Sequence, residues 1–292
     1  MKKLSVIIVT YNSEKHIYDC LESLFKYNDI GEDLEVIVVD NSSKKYEEMA
    51  EEIAARYGQS VQVIQNTKNG GYGQGNNVGI RASKAPYIMI MNPDVRMCEP
   101  IFQKVLEKFD GDDSILLYGI KQYHQDGRPG KSLGWTTRCN PYIYEPLRYI
   151  FCKMDIYWQR YMFFNGSCFF VRKSSFEHVG LFDEKIFMYC EEDDIHGRLS
   201  KIEKAHFVYD RSLSCLHLHD TVEDYEKEGY GWMQKNLESQ LYLDCRDGIS
   251  PIITLKRAIG RTNMSIVFTK NKAKKDYFKK WKETLVSMKD AI

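Results

Sequence analysis

The chain has 292 residues, and its 41 Lys+Arg balance its 41 Asp+Glu, so the formal net charge is zero. This balance excludes a strongly basic nucleic-acid binder, and no apolar stretch approaches the ~20 residues of a membrane-spanning helix. Eight cysteines without a CxxC pair argue against a zinc site or a disulfide framework and favour reduced thiols. The apolar run behind the N terminus ends at Thr10, which is too short for a signal peptide, so we expect a cytoplasmic protein.

The first part of the chain alternates short apolar runs with helical patterns. Continuous runs rich in β-branched residues predict strands, at 4–9, 34–39, 61–64 and 87–91. Apolar residues at helical spacing predict helices between them, at 15–27, 46–57 and 76–82. Strands that are apolar on both faces are typical of a mostly parallel sheet with helices on both sides, so the predicted fold class is α/β.

Beyond the fourth strand the pattern is looser. It predicts a helix over 100–109, a long loop or hairpin over 119–141 and a strand over 166–171. Residues 142–164 are dense in aromatic side chains, which indicates core packing, and 222–244 resembles a polar helix.

The C-terminal segment, 251–292, holds 11 Lys+Arg against 3 Asp+Glu, and apolar residues interleave with the basic ones at partly helical spacing. Such amphipathic segments suit an anionic membrane surface. The same pattern would serve to pack a helix onto the catalytic domain or onto a second subunit.

Three of the predicted strands end in polar clusters, and the carboxyl ends of parallel strands share one ligand-binding edge. The clusters are Thr10-Tyr11-Asn12-Ser13, Asp40-Asn41-Ser42-Ser43 and Asn92-Pro93-Asp94. Asp40 suits a nucleobase imide or a ribose hydroxyl, while the serines after it could simply cap the next helix. Asp94, with Asn92 beside it, suits a hard divalent cation that also binds water and phosphate oxygens.

A glycine-rich segment, 69–79, has five glycines in eleven residues. Its backbone N–H groups could approach a pyrophosphate or a flat base, with Asn69, Gly71, Gly73 and Asn77 as candidate contacts. The segment is not a Walker A loop, because no Gly-Lys-Ser/Thr follows, and it lacks the Rossmann position after the first strand. A flexible turn is the structural alternative.

Four consecutive carboxylates, Glu191-Glu192-Asp193-Asp194, follow the aromatic-rich Phe187-Met188-Tyr189-Cys190. A run of like charges is more often a solvated helix face. This one opens a predicted helix, where the helix dipole favours acids in the first turn. Repulsion and partial burial would raise the pKa of one carboxyl, as a general base requires.

Two histidines, His217 and His219, alternate in a predicted strand and therefore point the same way. A lone histidine on a strand is more often a core residue, whereas a pair beside a carboxylate site is equally compatible with metal binding.

In their order these motifs resemble glycosyltransferase family 2 enzymes with the GT-A fold, in particular the bacterial rhamnosyltransferase-like branch. The resemblance covers residues 1 to about 220. The segments that carry it are Val9–Asn12, Val38–Ser43, Asn69–Gly79, Asn92–Val95, Gly166–Arg172 and Phe187–Arg198.

The resemblance implies an inverting transfer of a sugar from a nucleotide-diphosphate donor to a hydroxyl group. Thr10, Tyr11, Asn12 and Asp40 would bind the nucleotide. Asp94 with His217, or else His219, would hold Mg²⁺ or Mn²⁺.

For the base, the resemblance implies Glu192, with Glu191 and Asp194 as alternatives. Two departures from the family pattern matter here. The usual Glu-Asp pair is Glu191-Glu192, so the proposed base is one methylene longer, and Asn92 replaces the first acid of the metal-binding motif.

The implied organisation is a GT-A catalytic domain over 1–220, with nucleotide-binding half 1–95 and acceptor half 96–220, followed by a helical, basic extension over 221–292. The donor is dTDP-rhamnose or a UDP-hexose, and the acceptor is a glycan or lipid-linked glycan of a cell-surface polysaccharide. An anionic membrane surface and a second copy of the chain are compatible further partners, and nucleic acid is not expected.

Two other functions compete with this interpretation. A nucleotidyltransferase would show a basic, glycine-rich signature directly after the first strand, where this chain has Thr10-Tyr11-Asn12. A non-catalytic nucleotide- or carbohydrate-binding module would not need Glu191, Glu192 and Asp94, which are all present.

Overall fold

A computed structural model describes residues 2–218 and 231–292. The strands are β1 (Leu4–Thr10), β2 (Leu34–Asp40), β3 (Val61–Gln65), β4 (Tyr87–Met91), β5 (Val95–Met97), β6 (Ile115–Tyr123), β7 (Leu133–Trp135), β8 (Met162–Phe164), β9 (Cys168–Arg172) and β10 (His206–His217). The helices are α1 (Glu14–Lys26), α2 (Tyr46–Tyr57), α3 (Tyr72–Ala82), α4 (Phe102–Gly111), α5 (Pro141–Met154), α6 (Lys173–His178), α7 (Glu191–Leu199), α8 (Gly231–Arg246), α9 (Pro251–Phe268) and α10 (Lys272–Asp290).

The described residues form two compact units that each combine distant parts of the chain. The first unit consists of residues 2–134, 164–187 and 194–218. The second consists of residues 135–163, 188–193 and 231–292.

The first unit is built on an eight-stranded sheet with the order β3-β2-β1-β4-β9-β6-β10-β5. Strands β3, β2, β1 and β4 run parallel, while β9 is antiparallel to both of its neighbours. The predicted α/β class is therefore confirmed, and so are the four N-terminal strands. The side chains of β1, β2 and β4 are buried on both faces because helices cover a parallel sheet from two sides. Strand β3, at the edge of the sheet, is mostly half-buried or exposed.

Registers at the carboxyl edge place the polar clusters close together. Thr10 pairs with Asp40 across β1 and β2. On the other side of β1, Ile8 pairs with Met91, the last residue of β4, so the chain enters Asn92 at the same edge.

Helix α1 shows how the sequence produces the cover of the sheet. Its buried side chains, Ile17, Cys20, Leu21 and Leu24, recur at three- and four-residue spacing and join the core beneath the sheet.

Three predicted segments differ from or refine the expectation. Helix α3 begins at Tyr72, four residues before the predicted start, so part of the glycine-rich segment is helical. The predicted loop or hairpin over 119–141 is only partly correct. Residues 119–123 are the end of β6, and a short turn follows in which Tyr123 bridges Pro129 and the backbone N–H of His124 donates to the Arg128 carbonyl. Residues 142–164 contain α5, with Pro146 inside it.

The second unit holds α5, α8, α9 and α10. A small core joins the last three helices, and its buried members are Leu237, Leu255, Ala258, Trp281 and Leu285. Much of the apolar face of 251–292 is thus used in packing within this unit. Of the predicted polar helix, 231–246 is described, whereas 222–230 and His219 lie outside the described residues. None of the described helices combines the length and apolar character needed to cross a bilayer.

Candidate active site

The predicted base-binding carboxylate, Asp40, is fully buried at the end of β2. Its Oδ2 accepts hydrogen bonds from the hydroxyls of Thr10, at 3.0 Å, and Ser43. Its Oδ1 accepts from the Ser43 backbone N–H at 2.8 Å. The carboxylate thus ties the ends of β1 and β2 together, and these three bonds leave about one further acceptor position, on Oδ1.

The serines do not cap the next helix. The N-cap position of α2 is Lys45, and no side-chain hydrogen bond caps it. Instead, the Ser43 hydroxyl accepts from the Asn12 N–H at 2.7 Å, and the Asn12 Oδ1 accepts from the Lys44 N–H at 3.1 Å. Asn12 and Ser42 both have positive φ, of 51° and 66°. Left-handed non-glycine residues often cluster at functional sites.

The glycine-rich segment allows close packing of a helix and is not a flexible turn. Gly73, Gly75 and Gly79 lie within α3 and are buried. A Cβ at Gly79 would lie 2.5 Å from Ile7 Cγ2, and one at Gly75 would lie 2.8 Å from Val9 Cγ1. The absence of side chains therefore lets α3 lie directly on the first strand of the sheet.

Gly71 and Asn69 shape the turn into α3. Gly71 has φ of +89°, and a Cβ there would lie 2.1 Å from the Phe187 carbonyl oxygen. The Asn69 Oδ1 accepts from the Gly71 N–H at 3.0 Å, and the Tyr72 N–H donates to the Phe187 carbonyl at 3.1 Å. Only glycine combines that φ with so close an approach.

The side chain of Asn77 forms hydrogen bonds within the protein. It both accepts from the Phe182 N–H, at 3.0 Å, and donates to the Phe182 carbonyl, at 2.9 Å. It also donates to Glu184 at 2.9 Å, and this bond, with one from Arg81, lowers the pKa of Glu184. Asn77 therefore holds the 182–184 segment.

A buried amide network lies beside this turn, and sequence reasoning missed it. Asn66 Nδ2 donates to Asn41 Oδ1, at 2.6 Å, and to Gln74 Oε1, at 3.0 Å. Asn41 Nδ2 in turn donates to the Gly71 carbonyl at 2.9 Å. The cluster of amide residues in the sequence was the available signal, but nothing in it shows which amides meet.

The predicted metal ligands Asp94 and His217 are brought together. His217 pairs with Val95 in the antiparallel ladder between β10 and β5, one residue from Asp94. The His217 Nε2 atom lies 3.4 Å from Asp94 Oδ2. Asn92 stands at the same turn, where its N–H donates to the Ser167 carbonyl at 2.8 Å.

Gln122 orients this histidine, and sequence reasoning did not find it. Gln122 Oε1 lies 3.2 Å from His217 Nδ1 and accepts from the Ser167 hydroxyl at 2.9 Å. An amide oxygen can only accept, so Nδ1 donates to Gln122 and Nε2 is the ring atom that faces Asp94. A ring nitrogen and a carboxylate oxygen at this distance suit a shared cation, and a hydrogen-bonded far nitrogen is typical of metal-binding histidines.

The pair by itself is a minimal protein ligand set. Among residues 2–218 and 231–292, no group of three or more His, Cys, Asp or Glu is arranged to hold a metal. Mg²⁺ is commonly held by one or two carboxylates together with water and phosphate oxygens, so Asp94, with His217 beside it, fits such an ion in the company of a diphosphate.

The acid run begins at a strained turn. Tyr189 and Cys190 both have φ of 72°, and α7 starts at the next residue. Glu191 is buried and Glu192 is half-buried. Neither preceding residue is a glycine, so the surrounding structure must hold this backbone conformation.

The raised pKa expected in the run falls on Asp193. Burial raises the pKa of this carboxyl, and hydrogen bonds from Thr136 and Thr137 partly oppose the shift. The Asp193 Oδ2 accepts from the Thr137 N–H at 3.0 Å and from both threonine hydroxyls at 3.2 Å. Asp193 was not among the predicted site residues.

Asp194, an alternative base in the sequence analysis, is buried in an ion pair. Its Oδ2 accepts from Arg198 Nη2 at 2.6 Å and from Arg198 Nε at 2.9 Å. Arg198 also donates to the Val179 carbonyl at 2.5 Å. This pairing gives Asp194 a structural role within the first unit.

Comparisons with known proteins agree with these observations. The family description "Glycosyl transferase family 2" matches residues 5–180, more than half of the chain. The teichoic acid poly(glycerol phosphate) polymerase of Staphylococcus epidermidis is 27% identical over 117 residues, which cover 40% of this chain and 16% of that protein.

Another relative is the poly(ribitol-phosphate) β-N-acetylglucosaminyltransferase TarS of Staphylococcus aureus. It is 33% identical over 131 residues, covering 44% of this chain and 23% of TarS. The chain therefore spans less than a quarter of the length of either relative. The crystal structure of TarS residues 1–349 with UDP matches 91% of this chain and 72% of that one, with a TM-score of 0.53 and 20% identity.

A second similar structure is the mannosyltransferase PcManGT of Pyrobaculum calidifontis in complex with GDP-Man and Mn²⁺. It matches 98% of this chain and 69% of its own, with a TM-score of 0.56 and 15% identity. These two likenesses confirm the predicted GT-A fold, a mostly parallel sheet between helices with a helical C-terminal segment. With the family match over residues 5–180, they lead to one conclusion: the chain belongs to glycosyltransferase family 2.

Proposed function

We propose that the chain is a metal-dependent, inverting glycosyltransferase that moves a sugar from a nucleotide diphosphate to a hydroxyl of a cell-surface polymer. The observation that carries this proposal is the Asp94–His217 pair, with its nitrogen and oxygen 3.4 Å apart and its histidine oriented by Gln122. The pair stands at the same sheet edge as Thr10 and Asp40, where α/β proteins bind ligands.

The nucleotide would bind over the ends of β1 and β2. Tyr11 is 53% exposed there, so its ring is available to stack on a base. Asn12 and Asn69 supply polar groups at the same rim, while Thr10 and Ser43 hold Asp40 beneath it. Gly71, Gly73 and Asn77 contribute through the shape of the turn and of α3.

Asp94 and His217 would hold Mg²⁺ or Mn²⁺, with Asn92 as a neutral neighbour. A cation there supplies charge neutralisation for the departing diphosphate. In support, the similar mannosyltransferase structure contains Mn²⁺ with its nucleotide sugar.

Glu192 is the proposed base. Among the four acids, Asp193 is bound to two threonines and Asp194 to Arg198, and Glu191 is buried. Glu192 is half-buried in the first turn of α7. Its carboxylate would take the proton of the acceptor hydroxyl as the oxygen attacks the anomeric carbon from the face opposite the leaving group, which inverts the configuration.

The names of the relatives suggest the acceptor class, since one names a teichoic acid poly(glycerol phosphate) and the other a poly(ribitol-phosphate). We infer a cell-wall glycan or polyol-phosphate acceptor, lipid-linked or polymeric. For the donor, the sequence branch suggests dTDP-rhamnose, and the UDP in the TarS structure suggests a UDP-sugar.

The C-terminal segment gives one further element of the proposal. At the end of α9, Val267 and Phe268 are 69% and 62% exposed, and four lysines follow between 270 and 275. We infer that this apolar and basic turn rests on the anionic inner face of the cell membrane. Val267→Ser with Phe268→Ser should abolish co-sedimentation with anionic liposomes, whereas Ile292→Ser, at another exposed apolar site, should not. Equal binding by all variants would exclude this turn as the contact.

A screen of UDP- and dTDP-sugars for release of the nucleoside diphosphate tests the main proposal. Release should require Mg²⁺ or Mn²⁺ and should stop with a chelator. Asp94→Ala should weaken UDP or dTDP binding only when the metal is present, and His217→Ala should do the same more mildly. His206→Ala, an exposed position on the same strand, is the matched control. Activity that survives chelation would refute the metal role.

A further inference from the structure

Within the second unit, helix α8 binds residues 188–190, the strained segment that precedes the acid run. The Ser239 hydroxyl donates to the Met188 carbonyl at 3.0 Å. One turn earlier, Asn236 Nδ2 lies 3.7 Å from the Cys190 sulfur, and that thiol lies 3.9 Å from the Asn236 carbonyl oxygen. The residues immediately before Glu191 are thus bound by a helix that lies about 46 positions further along the chain.

Helix α9 holds the other side of the acid pair. Arg261 Nη1 donates to the Thr137 carbonyl at 2.8 Å. Thr137 donates its own N–H and hydroxyl to Asp193, the residue immediately after Glu192. Arg261 therefore supports the threonine that fixes the acid run from the C-terminal side.

Gln240 joins the two sides. Its Nε2 donates to Asn236 Oδ1, and its Oε1 accepts from Arg261 Nη2. A continuous hydrogen-bonded circuit results, from Cys190 through Asn236, Gln240, Arg261 and Thr137 to Asp193. We call it the acid circuit. Its two ends, Cys190 and Asp193, flank Glu191 and Glu192 in the sequence.

We propose that α8 and α9 act, through the acid circuit, as the positioning element of the base. The inference rests on the proposed function in one respect, namely that Glu192 is the base. Asn236, Gln240, Arg261 and Thr137 are positioning residues, since they act on the acid pair through its two neighbours.

Two physical arguments favour this role over simple packing. Tyr189 and Cys190 have left-handed backbone conformations, which persist only where the surrounding structure enforces them. A buried polar network also fixes a unique geometry, because each member loses its partner if another moves. Gln240 uses both ends of its amide in the circuit and is 6% exposed, so replacing it would break the circuit at one point.

Gln240→Met tests the circuit, because it keeps the size and helix propensity of the side chain but removes both hydrogen bonds. Gln234→Met is the matched control, an exposed glutamine on the same helix. Two readouts need no substrate: amide hydrogen exchange over 188–193 and iodoacetamide alkylation of Cys190, located by peptide mass spectrometry. Both should accelerate about tenfold or more in Gln240→Met and stay unchanged in Gln234→Met.

Turnover adds a third readout. With a UDP- or dTDP-sugar that the wild-type protein uses, Gln240→Met should lower kcat about tenfold and leave the donor KM within about twofold, since small displacements of a catalytic group slow chemistry. Arg261→Lys should fall between wild type and Arg261→Met, because an ammonium keeps the charge but cannot bridge Gln240 and Thr137 as the guanidinium fork does.

The outcomes distinguish a failure of the acid circuit from a failure of the proposed function. Unchanged exchange over 188–193 and unchanged Cys190 alkylation in a folded Gln240→Met protein would overturn the circuit, whatever the activity. A donor KM that rises as much as kcat falls would also overturn it. If no nucleotide sugar is turned over by the wild-type protein, the proposed function fails, and the exchange comparison still decides the structural role of the circuit.

Discussion

The strand-end cluster of the first unit and the first three residues of the acid run, Glu191–Asp193, which belong to the second unit, are organised in opposite ways. Around Asp40, the partners are Thr10 and Ser43, which stand at the same strand ends that the sequence already marks with polar residues. Around the acid run, the partners come from α8, α9 and the 136–137 turn, and Arg261 lies 124 positions from Thr137. A cluster made by parallel strands follows from the pattern of the strands, whereas the surroundings of the acid run depend on distant contacts.

This difference predicts how each region responds to change. The strand-end cluster is part of a sheet core, so perturbing it should cost stability. The acid run is held by hydrogen bonds at its two ends, so perturbing it should cost activity first. Substitutions in each unit can test this difference.

The largest effect is expected at the proposed base. Glu192→Gln should lower turnover by about 10²–10⁴ and leave nucleotide binding intact, because an amide cannot accept the proton of the acceptor hydroxyl. Steady-state kinetics and UDP binding measure the two quantities. Glu203→Gln, at an exposed loop position, should behave as wild type. Near-normal turnover by Glu192→Gln would transfer the role to Glu191.

A pH effect on stability is expected in the first unit. Burial lowers the pKa of His196 from 6.5 to about 3, and its Nε2 accepts from the Phe164 N–H at 3.1 Å. Between these values the unfolded chain binds the proton and the folded one does not. Stability is therefore fully present above pH 6.5 and falls as the pH is lowered towards 3, by about 3 kcal/mol between pH 7 and 4.

Urea unfolding at several pH values measures this slope. His196→Gln should reduce it, because an amide accepts the same backbone hydrogen bond but does not titrate in this range. A slope that is the same in both proteins would assign the acid sensitivity to other groups.

A smaller effect, on the free energy of unfolding, should differ in sign between alanine substitutions at two glycines. Gly79→Ala should destabilise the protein by about 1–3 kcal/mol, because the new methyl would lie 2.5 Å from Ile7 Cγ2 on the first strand. Gly197→Ala in α7 has nothing within 4 Å and should stabilise it by about 0.5–1 kcal/mol through helix propensity. Thermal unfolding compares them. Equal shifts of the unfolding temperature in the two variants would show that the packing of α3 does not depend on the absence of a Cβ at Gly79.

The fold could be predicted from the sequence to the extent that its signals are local. The four β-branched runs predicted the parallel strands nearly to the residue, whereas the loop or hairpin predicted over 119–141 contains the turn between Tyr123 and Pro129 but also the last residues of β6. The glycines of 69–79 predict a flexible or phosphate-binding loop, because composition cannot distinguish freedom of the backbone from close packing. Their contacts with Ile7 and Val9 depend on the assembled sheet.

For the site, residue type was informative and partner identity was not. Strand ends and alternating histidines predicted that His217 or His219 lies near Asp94 without deciding between them, and Gln122 carries no motif. Likewise, four adjacent acids look equivalent in sequence. Their different exposure and hydrogen bonds arise from threonines and an arginine that the local pattern does not reveal.

The acid circuit also has a consequence for the order in which the protein is made. Residues 188–193 leave the ribosome well before Asn236, Gln240 and Arg261, and domains generally fold as units during synthesis. A nascent chain that ends before Arg261 can already carry all three strand-end clusters and all four acids, yet it lacks the arginine that closes the circuit. Competence for the proposed transfer would then be acquired late and in one step, after the proposed nucleotide-binding edge has already formed.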